Sequence, residues 1–123
     1  MNREIKFRGI SIDEWVYGML CKVNEGDTEH GESVKYKIQT DEKEYGEYIQ
    51  YFITDENTIG QFTGLKDENG KEIYEGDILK SIQWNDIYLV KYIGTAFYLC
   101  RKGNKGFNKI TTWNNAEKSE VVR

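Results

Sequence analysis

Apolar and polar positions alternate along much of this chain with a period of two. In Val34-Lys35-Tyr36-Lys37-Ile38-Gln39 the residues Val34, Tyr36 and Ile38 share one face and Lys35, Lys37 and Gln39 the other, as in a strand packed on one side. Ile5-Lys6-Phe7-Arg8 alternates in the same way, and residues 15–23 read as a strand whose internal Gly18 marks a bulge or a close approach. The turn-rich residues 9–14 between them predict a hairpin, residues 24–31 a polar loop, and residues 48–53 a further strand. A four-stranded sheet is expected in this half.

Asp55-Glu56-Asn57-Thr58 is expected to cap one helical turn, because Asp and Thr side chains accept hydrogen bonds from the next free amides. Asn69-Gly70, between Leu65 and Ile73, is the strongest hairpin signal of the chain. Strand patterns then follow at residues 78–84, 87–93 and 96–100, separated by turns at Asn85-Asp86 and Gly94-Thr95. Residues 114–118 predict a brief turn of helix before a closing strand at Val121-Val122. Short strands joined by short turns point to a small barrel or meander. The expected fold is therefore mainly β with little helix: an N-terminal antiparallel sheet over residues 1–65, followed by an SH3-like β-barrel or meander over residues 66–123.

Composition narrows the chemistry. The 123 residues include no proline, although average usage near 5% would supply about six, so proline-rich linkers are excluded. No apolar run approaches the roughly 20 residues that span a bilayer. The opening residues lack the apolar core of a secretory signal, so the cytoplasm is the expected location. Two cysteines, Cys21 and Cys100, and a single histidine, His30, are too few and too scattered for a local zinc site. The cysteines are expected to be small buried hydrophobes rather than a disulfide. A nucleophilic triad would have to use His30, which sits in a polar acidic stretch, and neither common phosphate-cradling glycine motif occurs. No catalytic residues, no cofactor, no metal and no small-molecule substrate are expected, and the protein is read as a non-enzyme.

Charge divides the chain. Residues 1–62 carry seven basic and thirteen acidic side chains, so −6, and the remainder carries +2. The basic part supplies a candidate nucleic-acid site: Lys91, Arg101, Lys102, Lys105 and Lys109 lie among Tyr88, Tyr92, Phe97, Tyr98, Phe107 and Trp113. A loop at residues 101–106 could then follow a phosphate backbone while aromatic rings stack on bases. The isoelectric point near 5.1 weighs against it. Two acidic clusters, Glu25, Asp27, Glu29 and Glu32, then Asp41, Glu42, Glu44 and Glu47, offer nucleic-acid mimicry as a third reading, with solvated loop charge as the simpler one.

Several stretches together resemble the YopX-like family of phage and prophage proteins. They are Ile5-Lys6-Phe7-Arg8-Gly9, Glu14-Trp15-Val16-Tyr17-Gly18, Thr58-Ile59-Gly60-Gln61-Phe62-Thr63-Gly64-Leu65-Lys66-Asp67 and Asn69-Gly70-Lys71-Glu72-Ile73-Tyr74-Glu75-Gly76-Asp77-Ile78-Leu79. Family members commonly carry Asp-Pro-Glu-Thr where this chain has Asp55-Glu56-Asn57-Thr58, which removes a fixed φ and leaves the two capping residues. The resemblance implies a phage or prophage product, β-rich, with an SH3-like C-terminal part, and it brings no catalytic residues. The motif glycines and aromatics also have a structural reading, with Gln61, Thr63 and Asp77 expected to satisfy turn amides. The leading expectation is an interaction module, working as a homo-oligomer or with a protein partner through exposed strand edges. Nucleic-acid binding by the C-terminal part is the alternative.

Overall fold

A computed structural model describes residues 5–27, 31–82, 86–103, 106–111 and 113–122. They fall into two compact units, one ending at Gln61 and one beginning at Phe62. No helix among the described residues is long and apolar enough to cross a membrane.

The first unit is an antiparallel sheet of β1 (Phe7–Ser11), β2 (Glu14–Asp27), β3 (Gly31–Glu44), β4 (Glu47–Phe52) and the first half of β5 (Asp55–Lys66), in the order β4-β3-β2-β1-β5. The β1–β2 hairpin forms as expected but tightens: Ser11 pairs with Glu14, leaving Ile12 and Asp13 as the turn. Of the residues 24–31 expected as a loop, 24–27 and Gly31 are strand, and 28–30 lie outside the described residues. β2 and β3 stay in register out to Asp27 opposite Gly31, because backbone pairing satisfies the amides of a two-stranded arm whether or not it carries an apolar face. Ile38 is fully buried and lies opposite Leu20 and Tyr51. Burying such a side chain contributes about 1.5–3 kcal/mol.

The helical turn expected at Asp55-Thr58 is absent, because these residues begin β5. Its cause survives in another form. Between the pairs Ile10–Asp55 and Arg8–Gly60, β1 has one residue and β5 has four. Within that bulge the Asn57 amide donates to Asp55 Oδ1 at 3.1 Å. The Thr58 hydroxyl donates to the Asp55 carbonyl at 2.6 Å and accepts from the Ile10 amide at 2.8 Å. The side chains thus make the local bonds of a cap, and a ladder with β1 supplies the flanking backbone with partners that a lone helical turn lacks.

In the second unit the end of β5 pairs with β6 (Glu72–Tyr74). β7 (Ile78–Ser81), β8 (Ile87–Ile93), β9 (Ala96–Gly103), β10 (Gly106–Thr111) and β11 (Ser119–Val122) form an antiparallel sheet in the order β10-β9-β8-β7-β11. The meander is there; no ladder joins β10 to β11 among the described residues, so the sheet is open rather than a closed barrel. β9 continues to Gly103 and β10 starts at Gly106, so Arg101, Lys102, Gly103 and Gly106 of the loop expected at residues 101–106 are strand, and 104–105 lie outside the described residues. The short 3-10 helix Trp113–Lys118 and β11 match the expected turn of helix and closing strand. The core joins Ile73, Leu79, Tyr88, Val90, Leu99, Ala116 and Val121, with Trp113 packed against it.

Turns here are held by side chains. Asp67, buried, accepts the Asn69 and Lys71 amides through Oδ1 at 2.9 and 2.8 Å, and the Val121 amide through Oδ2 at 2.9 Å. Gly70 closes that hairpin at φ +78°, where a Cβ would be strained. Thr63 donates to the Ile73 carbonyl at 2.8 Å, and Asp77 accepts the Tyr74 amide at 2.8 Å. Both cysteines are free, Cys100 buried and Cys21 half-buried.

Candidate functional site

The sheets end in four strands, β4, β6, β10 and β11; β6 is only 3 residues long, and the other three differ in how their edges end. The outer edge of β11 is occupied, since the Val121 amide donates to Asp67 and the Ser119 carbonyl accepts from the Glu68 amide. β10 carries a bulge between Phe107 and Lys109. β4 has neither device, and among the described residues no strand pairs on its far side.

β4 reads Glu47-Tyr48-Ile49-Gln50-Tyr51-Phe52, and all but Ile49 are exposed, Tyr48 by 47% and Phe52 by 46%. The hairpin turn before it adds Tyr45, exposed by 98%. Strand geometry settles which backbone groups face outward. The Ile53 amide donates to the Tyr36 carbonyl at 2.8 Å, and the Ile49 carbonyl accepts from the Thr40 hydroxyl at 3.0 Å, so these odd-numbered residues aim their backbone at β3. The amide and carbonyl of one strand residue point to the same side and alternate along the chain. Gln50 and Phe52 therefore present theirs to the open edge.

Lysines of β3 cover the rings of β4. Lys37 Nζ lies 4.8 Å from the centre of the Phe52 ring, Lys35 Nζ lies 5.8 Å from it, and Lys43 Nζ lies 4.7 Å from the Tyr48 ring. These contacts hold the rings with attractions of about 0.5–1 kcal/mol each at exposed sites. The Gln50 side chain donates from Nε2 to Gln39 Oε1 at 3.5 Å.

Behind the edge, the sheet parts. Residues 14–18 of β2 pair only with β1, and pairing with β3 starts at Met19. Gly18 sits at the junction with φ +155°, where a Cβ would fall onto the Gln39 carbonyl oxygen and 2.8 Å from its carbon. Beyond Gln39, three residues of β3 face one of β4, and the Thr40 hydroxyl accepts the Glu42 amide at 3.3 Å. A cleft of about 330 Å³ opens there, lined by Glu14, Thr40, Asp41, Glu42 and Tyr51 among others. A second, of about 300 Å³, is lined by Ser11, Ile12, Asp13, Glu14, Val16 and Tyr51. Tyr51 thus lines both. Among the described residues no group of three or more His, Cys, Asp and Glu is placed to hold a metal ion.

The five basic residues singled out from sequence do not all converge. Lys91 lies opposite Tyr98, and Lys102, four residues further along β9, shares that face of the sheet. Arg101 points to the opposite face, beside its register partner Tyr88. Lys91 is engaged, donating to the Phe107 carbonyl at 2.7 Å. Lys109 is the register partner of Arg101, while its side chain and the whole of Lys105 lie outside the described residues. Tyr88 is held above its ordinary pKa chiefly by burial and then by the charge and hydrogen bond of Asp86, with Arg101 opposing. His30 and the side chains of the first acidic cluster also lie outside the described residues. Asp41, Glu42, Glu44 and Glu47 are exposed about the β3–β4 turn.

The edge role of β4 was missed in the sequence. Tyr48, Ile49, Tyr51, Phe52 and Ile53 put apolar side chains on both faces, which is the pattern of a strand covered on both sides.

Comparison with known protein families finds the YopX protein family matching residues 6–122, nearly the whole chain. No curated protein matches.

Proposed function

The chain belongs to the YopX family, and from that premise we propose that it is a phage- or prophage-encoded accessory protein of the host cytoplasm, a non-catalytic module that binds protein by accepting a strand on β4. One observation carries this reading: β4 is an exposed, aromatic edge whose outward backbone groups, at Gln50 and Phe52, meet no strand among the described residues. Natural sheets blunt such edges with lysine, proline or bulges, and an unblunted one templates a further strand. From Tyr48 to Ile53 the strand carries no charge and no proline. The aromatic side chains supply the area that strand addition buries.

The experiment is affinity capture from infected bacterial lysate and from untagged copies of the chain, with the wild type and with Gln50→Pro as baits. Proline at residue 50 deletes an amide that faces outward, a position where edge strands tolerate it, so the ladder with β3 is kept. The reading expects a protein, foreign or its own kind, held by the wild type and lost by Gln50→Pro. Identical profiles from the two baits refute the edge as the binding site.

Nucleic-acid binding through the C-terminal hairpin is the competing proposal. Lys102 on an exposed strand end supports it; the division of Lys91 and Arg101 between two faces counts against one continuous cationic track. Its test is anisotropy with labelled DNA and RNA at about 50 and about 200 mM salt.

A further inference from the structure

Strand addition leaves the partner undefined, and the chemistry of β4 narrows it. Read outward from Gln50, the strand is symmetric in kind: Ile49 and Tyr51 flank it, then the aromatic residues Tyr48 and Phe52. The lysine cover repeats that symmetry, with Lys43 on the Tyr48 ring and Lys37 on the Phe52 ring. A strand whose residues match in kind on either side of its centre pairs like with like when an identical copy adds antiparallel about a two-fold axis, because in an isologous interface residue i meets j and j meets i.

Resting on the edge reading above, we infer that the occupant of β4 is a second copy of this chain, its β4 added antiparallel with Gln50 opposite Gln50. Backbone geometry limits the registers. Antiparallel residues directly opposite each other either exchange both hydrogen bonds or none, so outward-facing Gln50 and Phe52 must lie opposite residues that also face outward. Tyr48, two residues before Gln50, presents its backbone to the same side.

Among the registers this allows, the one centred on Gln50 sets Tyr48 opposite Phe52 at both ends. Aromatic pairs across strands contribute roughly 0.2–1 kcal/mol each relative to alanine. It also sets Ile49 opposite Tyr51 twice on the other face, and the two central glutamine amides face each other. Glu47, the one charged residue of the strand, falls opposite Ile53, so no like charges meet. Sliding by two residues breaks both aromatic pairs: Tyr48 then faces Gln50 in one direction, or Gln50 faces Phe52 in the other. An identical strand added in this register brings only uncharged side chains opposite one another from Tyr48 to Phe52.

The test uses the full chain with Cys21→Ser as background. Opposed residues of a hydrogen-bonded pair have Cα atoms about 5.5 Å apart, within the range a disulfide spans. Two Glu47 residues would be six positions apart along the ladder, about 20 Å. Mild oxidation of Gln50→Cys is expected to give a covalent dimer and Glu47→Cys none, with the parent chain dimeric in light scattering at about 1–100 µM and Gln50→Pro monomeric with unchanged circular dichroism. Should Gln50→Pro fail to fold, the contrast between the two cysteine variants decides alone. A monomer at about 100 µM overturns the inference, and if that monomer still captures a lysate protein that Gln50→Pro loses, the edge reading survives with a foreign partner. A dimer in which both cysteine variants cross-link equally places the contact elsewhere and overturns it as well.

Discussion

Replacing Asp67 by alanine tests how far one carboxylate holds the second unit together. Its two oxygens accept three backbone amides, two within its own hairpin at Asn69 and Lys71 and one 54 positions away at Val121. Hydrogen bonds to a charged group contribute about 1.5–3 kcal/mol each, and a buried amide left without a partner costs about 1–3. The three do not count alike. Asn69 and Lys71 are exposed, so water replaces the carboxylate there and the loss is small. Val121 is buried at 8% exposure on the core strand β11, and its amide has no such substitute. Together these give a loss of about 3–4 kcal/mol, most of it from the Val121 bond. Asp67→Asn keeps one acceptor oxygen and should lose about half as much. Urea unfolding followed by circular dichroism reads this directly: at a slope of about 1.5 kcal/mol per M, Asp67→Ala lowers the midpoint of the second unit by roughly 2–3 M. A loss under about 1 kcal/mol would show that the carboxylate only decorates a turn stable without it.

Three further outcomes follow from particular residues. Gly18→Ala drives a Cβ into the Gln39 carbonyl, which only a shift of β3 can relieve, so the first unit should lose about 3 kcal/mol or more in urea unfolding; wild-type stability would refute so close an approach of β2 and β3 at Gly18. Ile12, branched at Cβ yet at φ +60° and 78% exposed, is strained and buries little, so Ile12→Gly should stabilise by about 1 kcal/mol, raising the melting temperature by several degrees; a lower value contradicts the strain. Tyr88 is held above its ordinary pKa by burial and Asp86, so the folded chain keeps that proton longer than the unfolded one and the associated stability, full below about pH 10, is lost as pH rises through the raised value. The difference between wild-type and Tyr88→Phe urea midpoints from pH 9 to 11.5 isolates this from the other eight tyrosines; parallel curves would remove Tyr88 as the cause.

Much of the strand content was legible because side-chain direction is local. The alternation of Val34, Tyr36 and Ile38 with Lys35, Lys37 and Gln39 places a strand without reference to anything distant, and Asn69-Gly70 names its turn for the same reason. Legibility failed where local polarity competes with backbone pairing. Residues 24–27 and 101–103 looked like loop because they are polar, yet strands continue through them. Asp55 and Thr58 announced local hydrogen bonds correctly and the wrong element, since the same bonds close a bulge once β1 lies alongside.

The candidate site divides along the same line. Period-two patterning, glycine and asparagine turns and the family motifs were sufficient, by themselves, to establish a mainly β chain of the YopX kind and to mark residues 48–53 as a strand. Which strand would be last in its sheet was not written there. That depends on β3 pairing with β2 on one side and β4 on the other, and on Asp67 reaching Val121 to occupy a different edge. Ladder partners and free edges are properties of contacts between segments far apart in sequence, so only the tertiary structure could decide that β4 is an end strand with an open edge among the described residues.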